Sequence, residues 1–107
     1  MNLLFICSRN QWRSPTAEAL FKNHPNINAK SAGTEPSARI KVNEKMLLWA
    51  DLIFVMEKRH KQRLQQKFDD ILQDKEVIVL DIADDYKFMD KELVEILKES
   101  LSVYLDF

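Results

Sequence analysis

Apolar residues in this chain fall into two kinds of block. Leu3-Leu4-Phe5-Ile6, Leu52-Ile53-Phe54-Val55-Met56 and Val77-Ile78-Val79-Leu80 are short unbroken runs, the pattern of strands buried on both faces. Between them the apolar residues recur at helical spacing. Val42, Met46 and Trp49 predict one helix, Leu64, Phe68, Ile71 and Leu72 a second, and Leu93, Ile96, Leu97, Leu101 and Tyr104 a third. Ser14-Pro15 pairs an N-cap residue with proline at the first helical position, predicting a helix to about Lys22 that stops before His24-Pro25. Asn28 to Ala32 predicts a short strand running into the turn at Gly33. Strands that alternate with helices in this way imply an α/β fold. The expected sheet has four parallel strands in the order 2-1-3-4, with helices on both faces.

Length and composition narrow the classes. The chain has 107 residues, 46% apolar and 31% charged, which suits a single domain over residues 1–107. Its longest apolar stretch, Met46 to Met56, already contains Asp51, so no membrane span is expected. The opening run Leu3–Ile6 is too short for a secretory leader, and Cys7 has no second cysteine to pair with. A cytoplasmic setting is therefore expected. Two separated histidines and one cysteine give no metal cage, so neither metal nor cofactor is expected. Gly33 is the only glycine, which excludes both the dinucleotide-binding G-x-G-x-x-G loop and the Walker phosphate loop.

The candidate chemistry lies directly after the first run, in Cys7-Ser8-Arg9-Asn10-Gln11-Trp12-Arg13-Ser14-Pro15. Open parallel sheets bind ligands beyond the carboxyl ends of their strands. A short segment between a strand and a helix can curl so that its backbone N–H groups converge on one anion, and the helix N-terminus adds its partial positive charge. Arg13 offers a planar fork matching two oxygens of a phosphoryl group. A cysteine at the centre of that ring is placed to act as a thiolate nucleophile, with the Ser14 hydroxyl available to its sulfur.

This segment resembles the C-x-G-N-x-C-R-S-P signature of the low-molecular-weight protein tyrosine phosphatases. Three further segments resemble that family in the same order: Ser31-Ala32-Gly33-Thr34 its S-A-G-T, Ala50-Asp51-Leu52-Ile53-Phe54-Val55-Met56 its A-D-L-I-x-x-M strand, and Asp84-Asp85-Tyr86 its D-P-Y loop. The resemblance implies a flavodoxin-like three-layer fold and a cysteine-dependent phosphomonoesterase. Cys7 would attack phosphorus and form a phosphocysteine, Arg13 and the loop residues Ser8, Arg9, Asn10, Gln11, Trp12 and Ser14 would bind the phosphoryl group, and Tyr86 would line the pocket. Asp84 would be the general acid by motif match. Asp85 and Asp81 stand close enough to remain alternatives, since the intervening proline is absent.

The chain departs from the family pattern in three places. Arg9 replaces a glycine, the residue that adopts left-handed backbone angles at no cost, leaving open a non-catalytic phosphate-binding module. Trp12 replaces the second cysteine, so an oxidised Cys7 has no disulfide partner there. Residues are also missing between Thr34 and Ala50, a region that shapes the substrate groove in the family. The expected partner is a phosphorylated substrate, either a phosphotyrosine protein or a small phosphomonoester. Residues 1–50 carry a net +4 and residues 51–107 a net −5, too mild a bias to argue for nucleic acid. The basic run Lys58-Arg59-His60-Lys61 with Arg63 reads as a solvated helix face, and no nucleic-acid or membrane partner is expected.

Overall fold

The computed structural model describes residues 1–105, so the last two residues of the expected domain lie outside the described residues. Strands and helices alternate: β1 (Asn2–Cys7), α1 (Arg13–Leu20), β2 (Asn28–Gly33), α2 (Glu44–Trp49), β3 (Leu52–Val55), α3 (Lys58–Leu72), β4 (Val77–Val79) and α4 (Lys91–Leu101). All strand pairings are parallel, as the alternation predicted, and the sheet order is β2-β1-β3-β4, the expected order.

The unbroken apolar runs follow from burial on both faces. Along β1, Leu3 and Phe5 belong to a core with Phe54, Ala17 of α1 and Leu93, Leu97 and Leu101 of α4. The residues between them, Leu4 and Ile6, belong to the opposite core with Ile53, Leu47 of α2 and Leu64 of α3. The two-residue alternation of the strand thus feeds two separate layers. Phe5 stacks between Phe21 and Phe54, with ring centroids 5.8 and 5.3 Å away.

Several local expectations are corrected. Ser14 is not the N-cap of α1: the helix begins at Arg13 with Trp12 at the cap, and the buried Ser14 hydroxyl is engaged elsewhere. Val42 precedes α2, whose cap is Asn43, with its side chain accepting from the Met46 N–H at 2.9 Å. The helix α3 is interrupted at Phe68, where φ is −129° and ψ is 33°. Tyr104 lies beyond α4 and meets Phe54 edge-on. Among the described residues no helix is long and apolar enough to cross a membrane.

Because the sheet is parallel, the carboxyl ends of its strands share one edge. Cys7 ends β1, Gly33 ends β2, Glu57 follows β3, and the Asp81–Asp85 segment follows β4. The strand order reverses at β1, between β2 and β3, the place where such sheets open a crevice.

Candidate active site

The segment from Ser8 to Trp12 forms a loop between β1 and α1. Its shape is set from outside, by residues just past β2. The Cys7 carbonyl accepts from Thr34 N–H at 3.0 Å, that of Ser8 from Glu35 N–H at 2.9 Å, and that of Arg9 from Arg39 N–H at 3.0 Å. The Asn10 carbonyl accepts from Arg39 Nε at 3.1 Å. With these carbonyls drawn toward residues 34–39, the N–H groups turn the other way. Among the described residues, none of the N–H groups from Ser8 to Arg13 donates to a protein acceptor. Unpaired N–H groups gathered at a helix start make an anion cradle.

The curl requires one left-handed residue, and that residue is Asn10, with φ of 56°. Asparagine tolerates this conformation better than most residues. Arg9, which raised the question of a permissive backbone, is not left-handed. The family-type glycine at that position is therefore not demanded by the backbone of this loop. The chain's one glycine is needed from the other side: a Cβ on Gly33 would lie 2.6 Å from the Ser8 carbonyl oxygen, 2.6 Å from Ala38 Cβ and 3.0 Å from the Asn10 nitrogen.

A chain of hydrogen bonds runs beneath the loop to Cys7. The Ser31 hydroxyl donates to Glu18, and Asn10 Nδ2 donates to Ser31 Oγ and Ser14 Oγ, both at 2.9 Å. Ser14 Oγ lies 2.9 Å from Cys7 Sγ and 3.4 Å from the Ala32 carbonyl. Since Ser14 accepts from Asn10, its own hydrogen is free to donate, and the sulfur is the nearer acceptor.

Arg13 is 1% exposed, an unusual burial for a guanidinium. Its Nη1 donates to Glu57 Oε2 at 2.5 Å and to the Ile82 carbonyl at 2.7 Å. Its Nε has no hydrogen-bond partner among the described residues and meets only the Asp84 carboxylate, at ion-pair distance, so the Nε–Nη2 edge is the one a bidentate anion would take. Burial pulls the Glu57 carboxyl upward, but hydrogen bonds from Arg59 and Arg13, reinforced by their charges, outweigh it and hold the group down at about 2. Glu57 is thus a firm counter-ion for Arg13.

These groups surround a cleft of about 510 Å³ lined by Cys7, Ser8, Arg9, Gln11, Trp12 and Arg13 from the loop, with Glu35, Ser37, Arg59 and Asp84 at its sides. Of the three candidate acids only Asp84 reaches it, with Oδ1 3.5 Å from Arg13 Nε and the side chain 49% exposed. Asp81 and Asp85 are exposed away from the cleft. Trp12, 39% exposed, forms part of the wall. Asn10 and Ser14 lie buried beneath the loop. Tyr86 packs partly buried against the core on the α1 and α4 side and does not line the cleft.

His60 corrects its reading as a solvated histidine: it is 1% exposed and bonds Ser8 Oγ through Nε2 at 2.9 Å. Burial, with the Arg13 and Arg59 charges next, lowers it to about 4. Glu57 was not among the residues the sequence singled out, and His60 was named only as part of the basic run. The spacing of His60, Leu64 and Phe68 placed His60 on the inward stripe, a signal masked by its basic neighbours. Two members of that basic run are paired with acids, Arg59 to Glu57 at 3.0 Å and Arg63 to Glu35 at 3.4 Å. Among the described residues no group of three or more His, Cys, Asp or Glu is placed to hold a metal ion.

Residues 2–50 match the family model described as low molecular weight phosphotyrosine protein phosphatase. The chain resembles that family. The resemblance read from its motifs therefore holds, and the match covers the loop, α1, β2 and the segment that ties the loop down. A curated relative, the protein-arginine-phosphatase of Bacillus subtilis (strain 168), is 30% identical over 95 residues, covering 64% of this chain. The chain spans about 63% of that relative's length. Among solved structures, the tyrosine phosphatase Wzb from Escherichia coli K30 in complex with phosphate superposes with a TM-score of 0.76 at 20% identity, over 96% of this chain and 94% of that one. The YwlE arginine phosphatase from Geobacillus stearothermophilus gives 0.72 at 21%, over 95% and 86%. At these identities the two structures establish the shared fold.

Proposed function

We propose that this protein is a cysteine-dependent phosphatase that removes a phosphoryl group through a phosphocysteine at Cys7. The observation that carries this reading is the set of N–H groups from Ser8 to Arg13 that have no protein acceptor among the described residues, gathered around one sulfur with the Arg13 Nε, which makes no hydrogen bond, beside them. In the first step the Cys7 thiolate attacks phosphorus, an S–P bond forms and the bond to the leaving group breaks. Asp84, as the carboxylic acid, gives its proton to the departing atom. In the second step Asp84, now a carboxylate, takes a proton from water, whose oxygen attacks phosphorus. The S–P bond breaks, releasing inorganic phosphate and restoring the thiolate. The loop donors and Arg13 face the equatorial oxygens throughout, where charge develops.

The substrate class is a phosphorylated side chain or a small phosphomonoester. The Trp12 wall suits an aryl phosphate, as in phosphotyrosine. A second reading, a phosphoarginine, draws support from Asp84 and Glu35 at the rim, where carboxylates would face a guanidinium, and from the curated relative's name. The left-handed angle falling on Asn10 removes the main argument for a non-catalytic binding module.

The test is turnover of phenyl phosphate, a phosphotyrosine peptide, a phosphoarginine peptide and a nucleoside monophosphate by wild type and Cys7→Ser. Hydrolysis by wild type is expected, with phosphate trapped on the protein by acid quenching. Loss of more than about 100-fold is expected in Cys7→Ser, with orthovanadate affinity still measurable. A Cys7→Ser variant near wild-type activity would exclude the covalent route.

A further inference from the structure

His60 takes no direct part in the two steps above, yet it is among the most buried polar residues of the chain. Its bonds define its chemical form. Nδ1 accepts the Glu57 N–H at 3.0 Å, so the ring proton of the neutral imidazole resides on Nε2. Nε2–H therefore donates to Ser8 Oγ at 2.9 Å. Ser8 is the residue after Cys7, at the front of the loop. Glu57, the N-cap of the same turn, accepts the His60 backbone N–H at its carbonyl at 3.0 Å, and its side chain accepts from Arg13 at the loop's far end.

One turn of α3 thus holds both ends of the loop. A histidine acting only as a cap residue needs one acceptor nitrogen. The second nitrogen here is aimed at the residue beside the nucleophile. His60 does not line the cleft, so any effect it has on turnover passes through Ser8 and Glu57.

We propose that His60 is a positioning residue for phosphoryl transfer, fixing Ser8 through Nε2 and the Glu57–Arg13 pair through the shared cap, so that the loop meets the phosphoryl group already formed. The kinetic part rests on the phosphatase reading; the geometric part does not. Donors that need no reorganisation act mainly on the transition state, so their loosening lowers kcat more than it raises KM.

The experiment compares Ser8→Ala, His60→Asn, His60→Gln and the Ser8→Ala/His60→Asn double variant. In His60→Asn the amide oxygen stands where Nδ1 accepts, but the side chain falls short of Ser8. In His60→Gln the amide supplies an acceptor and a donor at about the separation of the two ring nitrogens. Ser8→Ala and His60→Asn are each expected to lose about 10- to 100-fold in kcat with KM within about threefold. The double variant should be no worse than the poorer single one, and His60→Gln should recover to within about threefold of wild type. Orthovanadate affinity should weaken in the same order as kcat. Wild-type kcat in His60→Asn and Ser8→Ala, or additive losses in the double variant, would overturn the proposal. If His60→Asn does not fold, Ser8→Ala and His60→Gln decide it alone. If wild type hydrolyses none of the phosphate compounds, the phosphatase reading fails by itself. The orthovanadate series then carries the test, with equal affinity across the variants the overturning result.

Discussion

Arg13 Nη1 lies 2.5 Å from Glu57 Oε2, and the same nitrogen donates to the Ile82 carbonyl at 2.7 Å. The pairing turns the guanidinium so that one nitrogen is anchored to the residues after β3 and β4 while Nε, without a hydrogen bond, faces Asp84. It also makes a buried cation tolerable, since the more distant and half-exposed Asp84 would be the only other carboxylate paired with Arg13 among the described residues.

Arg13→Lys separates charge from geometry. An ammonium still pairs with Glu57, but it offers no planar edge to two phosphoryl oxygens. A loss of at least about tenfold in kcat/KM for an aryl phosphate is expected, with the thermal midpoint changed little. Steady-state kinetics at matched pH measures this, and wild-type kinetics would place Arg13 outside the reaction.

Acid should unfold the protein in two overlapping stages. His60 is depressed from 6.5 to about 4, mainly by burial, so its neutral form favours the fold in full above pH 6.5. That contribution, about 3 kcal/mol, is lost as pH falls from 6.5 toward 4. Glu57 is depressed from 4.5 to about 2, so its contribution is full above pH 4.5 and lost between 4.5 and 2. Urea unfolding between pH 7.5 and 3 should show stability falling already near pH 6. His60→Gln should flatten the upper stage while leaving the lower one, and an unchanged pH profile in that variant would contradict the assignment.

Gly33→Ala tests the tie between β2 and the loop. The added Cβ meets a backbone oxygen and another Cβ at 2.6 Å, and neither is the end of a flexible side chain. Something must move, and the loop is the less anchored partner. A cost of about 1–3 kcal/mol is expected, together with a marked loss of orthovanadate affinity. Calorimetry and titration of the purified variant measure both; unchanged affinity would show that the loop does not depend on this approach.

The parallel sheet and its layers were legible because β1 and β3 are buried on both faces, which leaves an unbroken apolar run in the sequence, whereas edge strand β4 carries a similar run and the runs alone do not order the strands. The loop was legible because Cys7, Arg13 and Ser14 stand between such a run and a Ser-Pro helix start. What stayed hidden depends on long-range contacts. Glu57 is an ordinary acid until β3 carries it to Arg13, 44 residues earlier. His60 reads as part of a basic run until α3 turns it inward to Ser8, 52 residues away. Ser14 looked like a helix cap because its type and the following proline fit that role, yet Cys7 and Asn10 compete for the same hydroxyl and prevail. Gly33 read as a turn residue, whereas its single hydrogen is needed for the close approach of Ser8.

Asp84→Asn decides which carboxylate is the general acid. Asp84 is the one candidate that reaches the cleft, 3.5 Å from Arg13 Nε, and it remains half in water, open to the attacking water of the second step. A general acid matters most when the leaving group is poor, because the departing oxygen then needs a proton in the transition state. Its removal typically costs about 10²–10⁴-fold. Asp84→Asn should therefore reduce turnover of phenyl phosphate far more than that of 4-nitrophenyl phosphate, whose leaving group is stable without a proton. A plot of log kcat/KM against leaving-group pKa should be shallow for wild type and steep for the variant. Asp85→Asn should retain the shallow slope, since its side chain lies outside the cleft. A steep slope for Asp85→Asn with a shallow one for Asp84→Asn would move the acid to Asp85 and require the segment after β4 to rearrange when substrate binds.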